Sequence, residues 1–172
     1  MGIYLLDTCI WEYWFNPNRE QHSQVVRHVD QLSDDDKIGI SIITWGEIIY
    51  GYKANADDPR LMQSEYFQFI TSKSPKIYYI DMHVAQRYGE VRALLFEKFA
   101  SKEKRKKGLR PEQLIDPITA KELGIQENDL WITAQALERN ITLVTHDKLY
   151  RISEVVGDDL QIENWAIEWM SG

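Results

Sequence analysis

A single cysteine, a shortage of positive charge and the absence of any long apolar run set the first limits on this chain of 172 residues. One cysteine cannot close a disulfide within the chain, and Cys9 stands in an apolar segment, so a reducing compartment is expected. No apolar stretch approaches the roughly 18 residues that a membrane-spanning helix needs. The opening Met-Gly-Ile-Tyr-Leu-Leu-Asp lacks the basic start of a secretory signal, so a cytoplasmic protein with no membrane association is expected. Lys and Arg number 20 against 27 Asp and Glu, a net charge of −7. That balance argues against broad, nonspecific binding to nucleic acid, which needs a cationic contact face. It leaves room for a local basic track and for an acidic site masked by a cation. No internal repeat and no Gly/Ser linker divides the chain, so residues 1–172 are expected to form one domain. What is present is the material of a core, with 44% hydrophobic and 12% aromatic residues.

The order of the segments predicts an α/β fold. Ile3–Leu6 reads as a buried strand ending at Asp7, and Val25–Leu32 as part of a helix. A charged turn at 33–37 precedes a second strand, Ile38–Ile42. Thr44-Trp45-Gly46-Glu47 has the spacing of a capping box, which predicts a helix over Ile48–Lys53. A polar break at Asp57-Asp58-Pro59 leads to a helix near Leu61–Thr71, and Ile77–Ile80 is the third expected strand. Asp81 is placed to cap a helix carrying Val84, Tyr88, Val91 and Leu95 at helical spacing. Asn128 is placed to cap another, with Leu130, Trp131, Ala134 and Leu137 on its apolar side. Thr142–Thr145 and a short Leu160–Glu163 complete about five strands. Strands separated by helices imply crossover connections, hence a mainly parallel sheet in a three-layer α/β/α arrangement. Sites in such sheets form beyond the carboxyl ends of the strands.

Four acidic residues fall near those ends, and each has a bland explanation when taken alone. Asp7 can accept from backbone amides of the following turn. Glu47 is the last member of the capping box. Asp129 lies in the first turn of a helix, where the dipole favours negative charge. Asp147 follows a strand and can simply start a turn. Together they are harder to dismiss, because a parallel sheet brings such positions to one rim, where clustered carboxylates repel unless a cation joins them. Oxygen ligands of this kind suit Mg²⁺ or Mn²⁺, which polarise phosphoryl oxygens. The inferred chemistry is metal-dependent phosphodiester hydrolysis.

The strand ending Leu-Leu-Asp-Thr, the segment Thr-Trp-Gly-Glu-Ile-Ile-Tyr-Gly at 44–51 and the run at 128–147 from Asn-Asp-Leu-Trp to Val-Thr-His-Asp resemble the PIN-domain ribonucleases. Among these the likeness is greatest to the VapC toxins of bacterial toxin–antitoxin pairs, and Ile162-Glu163-Asn164-Trp165 resembles the family's closing strand. The resemblance implies a PIN-like fold and makes Asp7, Glu47, Asp129 and Asp147 the catalytic, metal-holding set. It makes Thr8 and Thr145 hydroxyl residues that support those carboxylates. It also implies an RNA substrate, a VapB-like antitoxin partner and a homodimer.

Three features depart from the family pattern. Cys9 stands where a small polar residue commonly follows the Thr, and reads as a small buried hydrophobe. His146 stands where a polar or basic residue is common, and reads as an exposed turn residue. Residues 101–124 form an insertion longer than the usual connection. Five of the six residues at 102–107 are basic, a tract that either follows a phosphate backbone or is a solvated helix end. Asp116 in the insertion either approaches the metal or, with Pro117, marks a turn. Trp11, Trp14, Phe15 and Trp45 read as core or subunit contacts.

Other functions carry acids at the ends of parallel strands. A housekeeping PIN nuclease without an antitoxin would show these motifs too, whereas the intact four-acid set argues against a non-catalytic RNA- or protein-binding PIN module. A phospho-acceptor receiver domain would ordinarily show an early acidic pair and a lysine after the last strands, whereas Leu-Leu-Asp-Thr offers one acid.

Overall fold

A computed structural model describes residues 1–55, 59–105, 108–147 and 149–167. Asp57 and Asp58 of the expected polar break, and Lys106 and Lys107 of the basic tract, lie outside the described residues. Close contacts divide the chain into two compact units. The first comprises Met1–Tyr79, Ile141–His146 and the chain from Ile162 on; the second comprises Ile80–Asn140 and Asp147–Gln161.

The first unit holds a five-stranded sheet of β1 (Ile3–Leu6), β2 (Lys37–Ser41), β3 (Lys76–Tyr78), β4 (Thr142–Val144) and β5 (Ile162–Glu163). Its order is β3-β2-β1-β4-β5, and every pairing is parallel. β1 is central, with Leu6 opposite Ile40 of β2 on one side and Val144 of β4 on the other. Its consecutive Leu5 and Leu6 are both fully buried, which explains why this strand reads as a continuous apolar run with no alternation. The chain builds outward from β1 through β2 and β3, then returns to β1's other side with β4. The strand order therefore reverses between β1 and β4, the position where open α/β sheets offer a crevice at their carboxyl ends.

Four helices belong to this unit: α1 (Thr8–Phe15), α2 (His22–Asp30), α3 (Ile42–Asn55) and α4 (Pro59–Ser72). The aromatic residues after the first motif are core. Trp11 is fully buried and stacks on Trp14, and Phe15 stacks on Tyr66 with ring centres 4.5 Å apart. Trp165 closes the far edge between Tyr4 and His28, and its Nε1 donates to Glu163.

In the first unit, the start of α3 differs from the sequence reading. α3 begins at Ile42, directly after β2, and Ser41 Oγ accepts the N–H of Ile43 at 3.0 Å. The alternation Ile38, Ile40, Ile42 carried the expected strand one residue too far. Thr44 is consequently inside the helix, buried and with no hydrogen-bond partner among the described residues, so the expected capping box does not form.

The second unit contains α5 (Met82–Phe99), α6 (Lys102–Arg105), α7 (Glu127–Arg139) and α8 (Tyr150–Val156). Asp81 caps α5 as expected, accepting the N–H of Val84 at 2.9 Å. α7 starts two residues earlier than expected, at Glu127, with Gln126 rather than Asn128 as its N-terminal cap residue. Glu112 of the insertion accepts the N–H of Glu127 at 2.9 Å, so a residue 15 positions away satisfies one of the helix's open donors. α7 ends at Asn140 in the left-handed region, a conformation asparagine tolerates better than most residues. Residues 130 and 132–136 are all buried, so this helix is enclosed well beyond one stripe.

Candidate active site

Asp7 is both the end of β1 and the N-cap of α1. Its own N–H continues the ladder by donating to Val144 O, and its Oδ1 accepts the N–H of Thr8 at 2.7 Å. Its Oδ2 accepts the hydroxyl of Thr145 at 2.8 Å, with Thr145 itself 1% exposed. The two residues follow β1 and β4, so this hydrogen bond sits where the strand order reverses. Thr8 serves a second acid as well, since its hydroxyl donates to Oε2 of Glu47. Thr8 thus touches both Asp7 and Glu47, the first through its backbone and the second through its side chain.

The failed capping box bears directly on Glu47. With α3 starting at Ile42, Glu47 is in the second turn of that helix, past the positions where an acid caps the backbone. Capping therefore does not explain its charge, and its carboxylate accepts the Thr8 hydroxyl.

Cys9 packs against the core as expected and also approaches the acid at the strand end. It is half-buried in the first turn of α1, with Sγ 3.9 Å from Asp7 Oδ2 and 3.8 Å from Thr145 Oγ1, and it accepts the backbone N–H of His146 at 3.4 Å. It is at once a packing residue beside the core and one of the groups around Asp7. A cysteine two residues after a strand-end Asp, on the first turn of a helix, was the available signal. His146 also differs from expectation, being half-buried with its ring edge-on to Tyr13 at 5.8 Å. Nearby, Tyr66 is 1% exposed and its hydroxyl has no partner among the described residues. Burial pushes that phenol far above its usual range, and the charges of Glu12, Tyr52 and Cys9 act in the same direction.

Asp129 and Asp147 belong to the second unit. Asp129 is half-buried at the third position of α7, and its Oδ2 accepts the N–H of Gln126 at 2.8 Å. The carboxylate thus closes the helix start, as an acid in that position is able to do without further function. Asp147 is exposed in the turn leading to α8, and its carbonyl accepts the N–H of Leu149 at 3.0 Å. Asp116 is committed elsewhere. Its Oδ1 accepts the N–H groups of Ile118 and Thr119 at 2.9 and 3.0 Å, and its Oδ2 pairs with Arg151. The two backbone donors and the guanidinium hold its carboxyl below the usual range. This is the turn role of the two offered by the sequence.

Oxygen donors dominate around Asp7, and both of its carboxylate oxygens are oriented by protein groups. A carboxylate held this way retains lone pairs for a hard cation while its own rotation is restricted. The donor set in the first unit therefore fits a divalent ion of the Mg²⁺ class, with Cys9 the one soft atom close by.

A family model described as PIN domain matches residues 4–155. Ribonuclease VapC1 of Haemophilus influenzae (strain R2866) is 28% identical over 166 residues, covering 95% of this chain and 98% of that protein. Among solved structures, VapBC2 from Rickettsia felis bound to a DNA fragment from their promoter aligns with a TM-score of 0.65 and 26% identity, over 95% of this chain and 98% of the matched one. VapBC-1 from nontypeable Haemophilus influenzae aligns with the same TM-score at 25% identity, over 96% and 99%.

Proposed function

The chain belongs to the PIN-domain family, and from that premise we propose that it is an endoribonuclease that hydrolyses RNA phosphodiester bonds with Mg²⁺ or Mn²⁺, as the toxin of a VapBC-type pair. The observation that most supports this reading is the placement of Asp7. It is buried at the strand-order reversal, with Thr145 on one oxygen, Thr8 on the other, and Thr8 also holding Glu47. In the proposed site, Asp7, Glu47, Asp129 and Asp147 are the residues that hold the metal, and all of residues 1–172 act as one PIN domain. The likeness to Ribonuclease VapC1 supports the ribonuclease activity, and the likeness to VapBC structures supports a VapB-like antitoxin partner.

When bound, the ion supplies Lewis-acid polarisation of a phosphoryl oxygen. The chain's own residues do the rest. Asp7 and Glu47 bring negative charge to the rim of the sheet, and Thr8 and Thr145 fix which lone pairs point outward. Because these hydroxyls already have their partners, little reorganisation is needed when a cation arrives. Without it, the same carboxylates repel an RNA phosphate. We further propose a homodimer working in the cytoplasm; no helix among the described residues is long and apolar enough to cross a membrane.

The test is incubation of the purified protein with a structured RNA pool in Mg²⁺, in Mn²⁺ and in EDTA. Cleavage in either metal that EDTA abolishes supports the enzyme. An intact pool under all three conditions, with no calorimetric sign of Mn²⁺ binding, contradicts it and leaves a binding module.

A further inference from the structure

The turn that leaves β4 is held at two consecutive amides. Thr145 N–H donates to Glu163 O of β5 at 3.0 Å, extending the sheet by one bond. The next amide, His146 N–H, is beyond the sheet ladder and donates instead to Cys9 Sγ at 3.4 Å. The same sulfur lies 3.8 Å from the Thr145 hydroxyl, which in turn donates to Asp7. Cys9 therefore ties the first turn of α1 to the backbone between the Thr145 hydroxyl and Asp147, the next residue along the chain.

From this geometry we infer that Cys9 is a positioning residue for the metal-holding carboxylates, acting as a sulfur acceptor that latches the β4 exit. The inference rests on the nuclease reading for its catalytic consequence, while the latch itself does not. A neutral amide–thiol bond is weak, but it is half-buried and holds the backbone one residue past the sheet ladder. Serine offers an acceptor in nearly the same place, whereas valine fills the volume with none. This separates the latch from mere packing, which valine would satisfy as well as cysteine does.

Two readouts test it on the full-length protein. Amide hydrogen exchange by NMR is predicted to find His146 protected in wild type and in Cys9→Ser, and exchanging at least tenfold faster in Cys9→Val and Cys9→Ala, with core amides such as Leu6 unchanged. In RNA cleavage, Cys9→Val is predicted to need about tenfold more Mg²⁺ for half-maximal rate, the size expected when a residue that orients a metal ligand is lost, and Cys9→Ser to recover most of the difference. His146 exchange that does not respond to Cys9→Val, or Cys9→Ser falling as far as Cys9→Val in Mg²⁺ dependence, overturns the inference. A protected His146 amide that depends on Cys9 in a wild-type protein that cleaves nothing would support the latch and sink the nuclease reading.

Discussion

Thr145 donates its hydroxyl to Oδ2 of Asp7 at 2.8 Å, a bond between residues 138 positions apart that joins the ends of two adjacent parallel strands. The register Leu6 with Val144 makes it possible, because the residues just past each strand then come side by side. The bond is local in space and invisible to any window of sequence, yet it decides how the first acid faces solvent.

Removing that hydroxyl is the cleanest probe of its role. Thr145→Val keeps the shape of a side chain that is 1% exposed and removes the hydroxyl donated to Asp7 Oδ2. A loss of about 1.5–3 kcal/mol in unfolding free energy is expected from the missing hydrogen bond to a charged group. The Mg²⁺ needed for half-maximal cleavage should rise about tenfold. Denaturant unfolding and a Mg²⁺ titration of the cleavage rate measure the two effects separately.

The N-terminal strand predicts an acid-side dependence. Asp36 accepts the N–H of Gly2 and both the N–H and hydroxyl of Ser33, and these donors pull its carboxyl down to about 2. Its folded value is below its usual 3.8, so the stability it adds is present above 3.8 and is lost as pH falls through about 2. Asp36→Ala should therefore be less stable than wild type at neutral pH, with the gap narrowing toward pH 2. Urea midpoints for both proteins across that range check it; a gap of constant size would contradict it.

Gly39 is required by a neighbour rather than by its own backbone angles. A Cβ there would come within 2.3 Å of the Tyr78 ring on the adjacent strand. Gly39→Ala should cost about 1–3 kcal/mol as an overpacking change. Pairing it with Tyr78→Leu should recover part of the loss, which a double-mutant cycle reads directly.

Asp116 predicts a dissociation of fold from chemistry. Asp116→Ala should make the 101–124 insertion more susceptible to limited proteolysis, because the turn at 116–119 and the Arg151 pair are lost. The Mg²⁺ dependence of cleavage should stay as in wild type. A change in that dependence would reinstate the metal role that the turn geometry removes.

Much of this arrangement was legible from sequence wherever neighbouring residues carry the information. β1 ending at Asp7, the Asp81 cap of α5 and the short β4 follow from apolar runs and capping chemistry within a few positions. The errors have distant causes. The start of α3 is misplaced because Ile42 continues the strand-like alternation of Ile38 and Ile40, and only Ser41's side chain marks the switch. The start of α7 depends on Glu112, which reaches it from the insertion. The part played by Cys9 needs α1 and the β4 exit side by side, and a residue type read as apolar hid it.

Asp7 itself shows how the structure alters an experiment. Removing one of several clustered like charges relieves repulsion, which by itself favours the fold. Asp7 is also the N-cap of α1, so Asp7→Ala forfeits about 0.5–2 kcal/mol of capping and strands the Thr145 hydroxyl. Asp7→Asn keeps an acceptor for Thr8 and a polar partner for Thr145 while removing the charge. The decisive measurement is RNA cleavage by wild type and Asp7→Asn in Mg²⁺ and Mn²⁺, with unfolding free energy measured on the same samples. The account predicts an Asn variant folded within about 1 kcal/mol of wild type and devoid of metal-dependent cleavage. Cleavage at the wild-type rate by folded Asp7→Asn would contradict it.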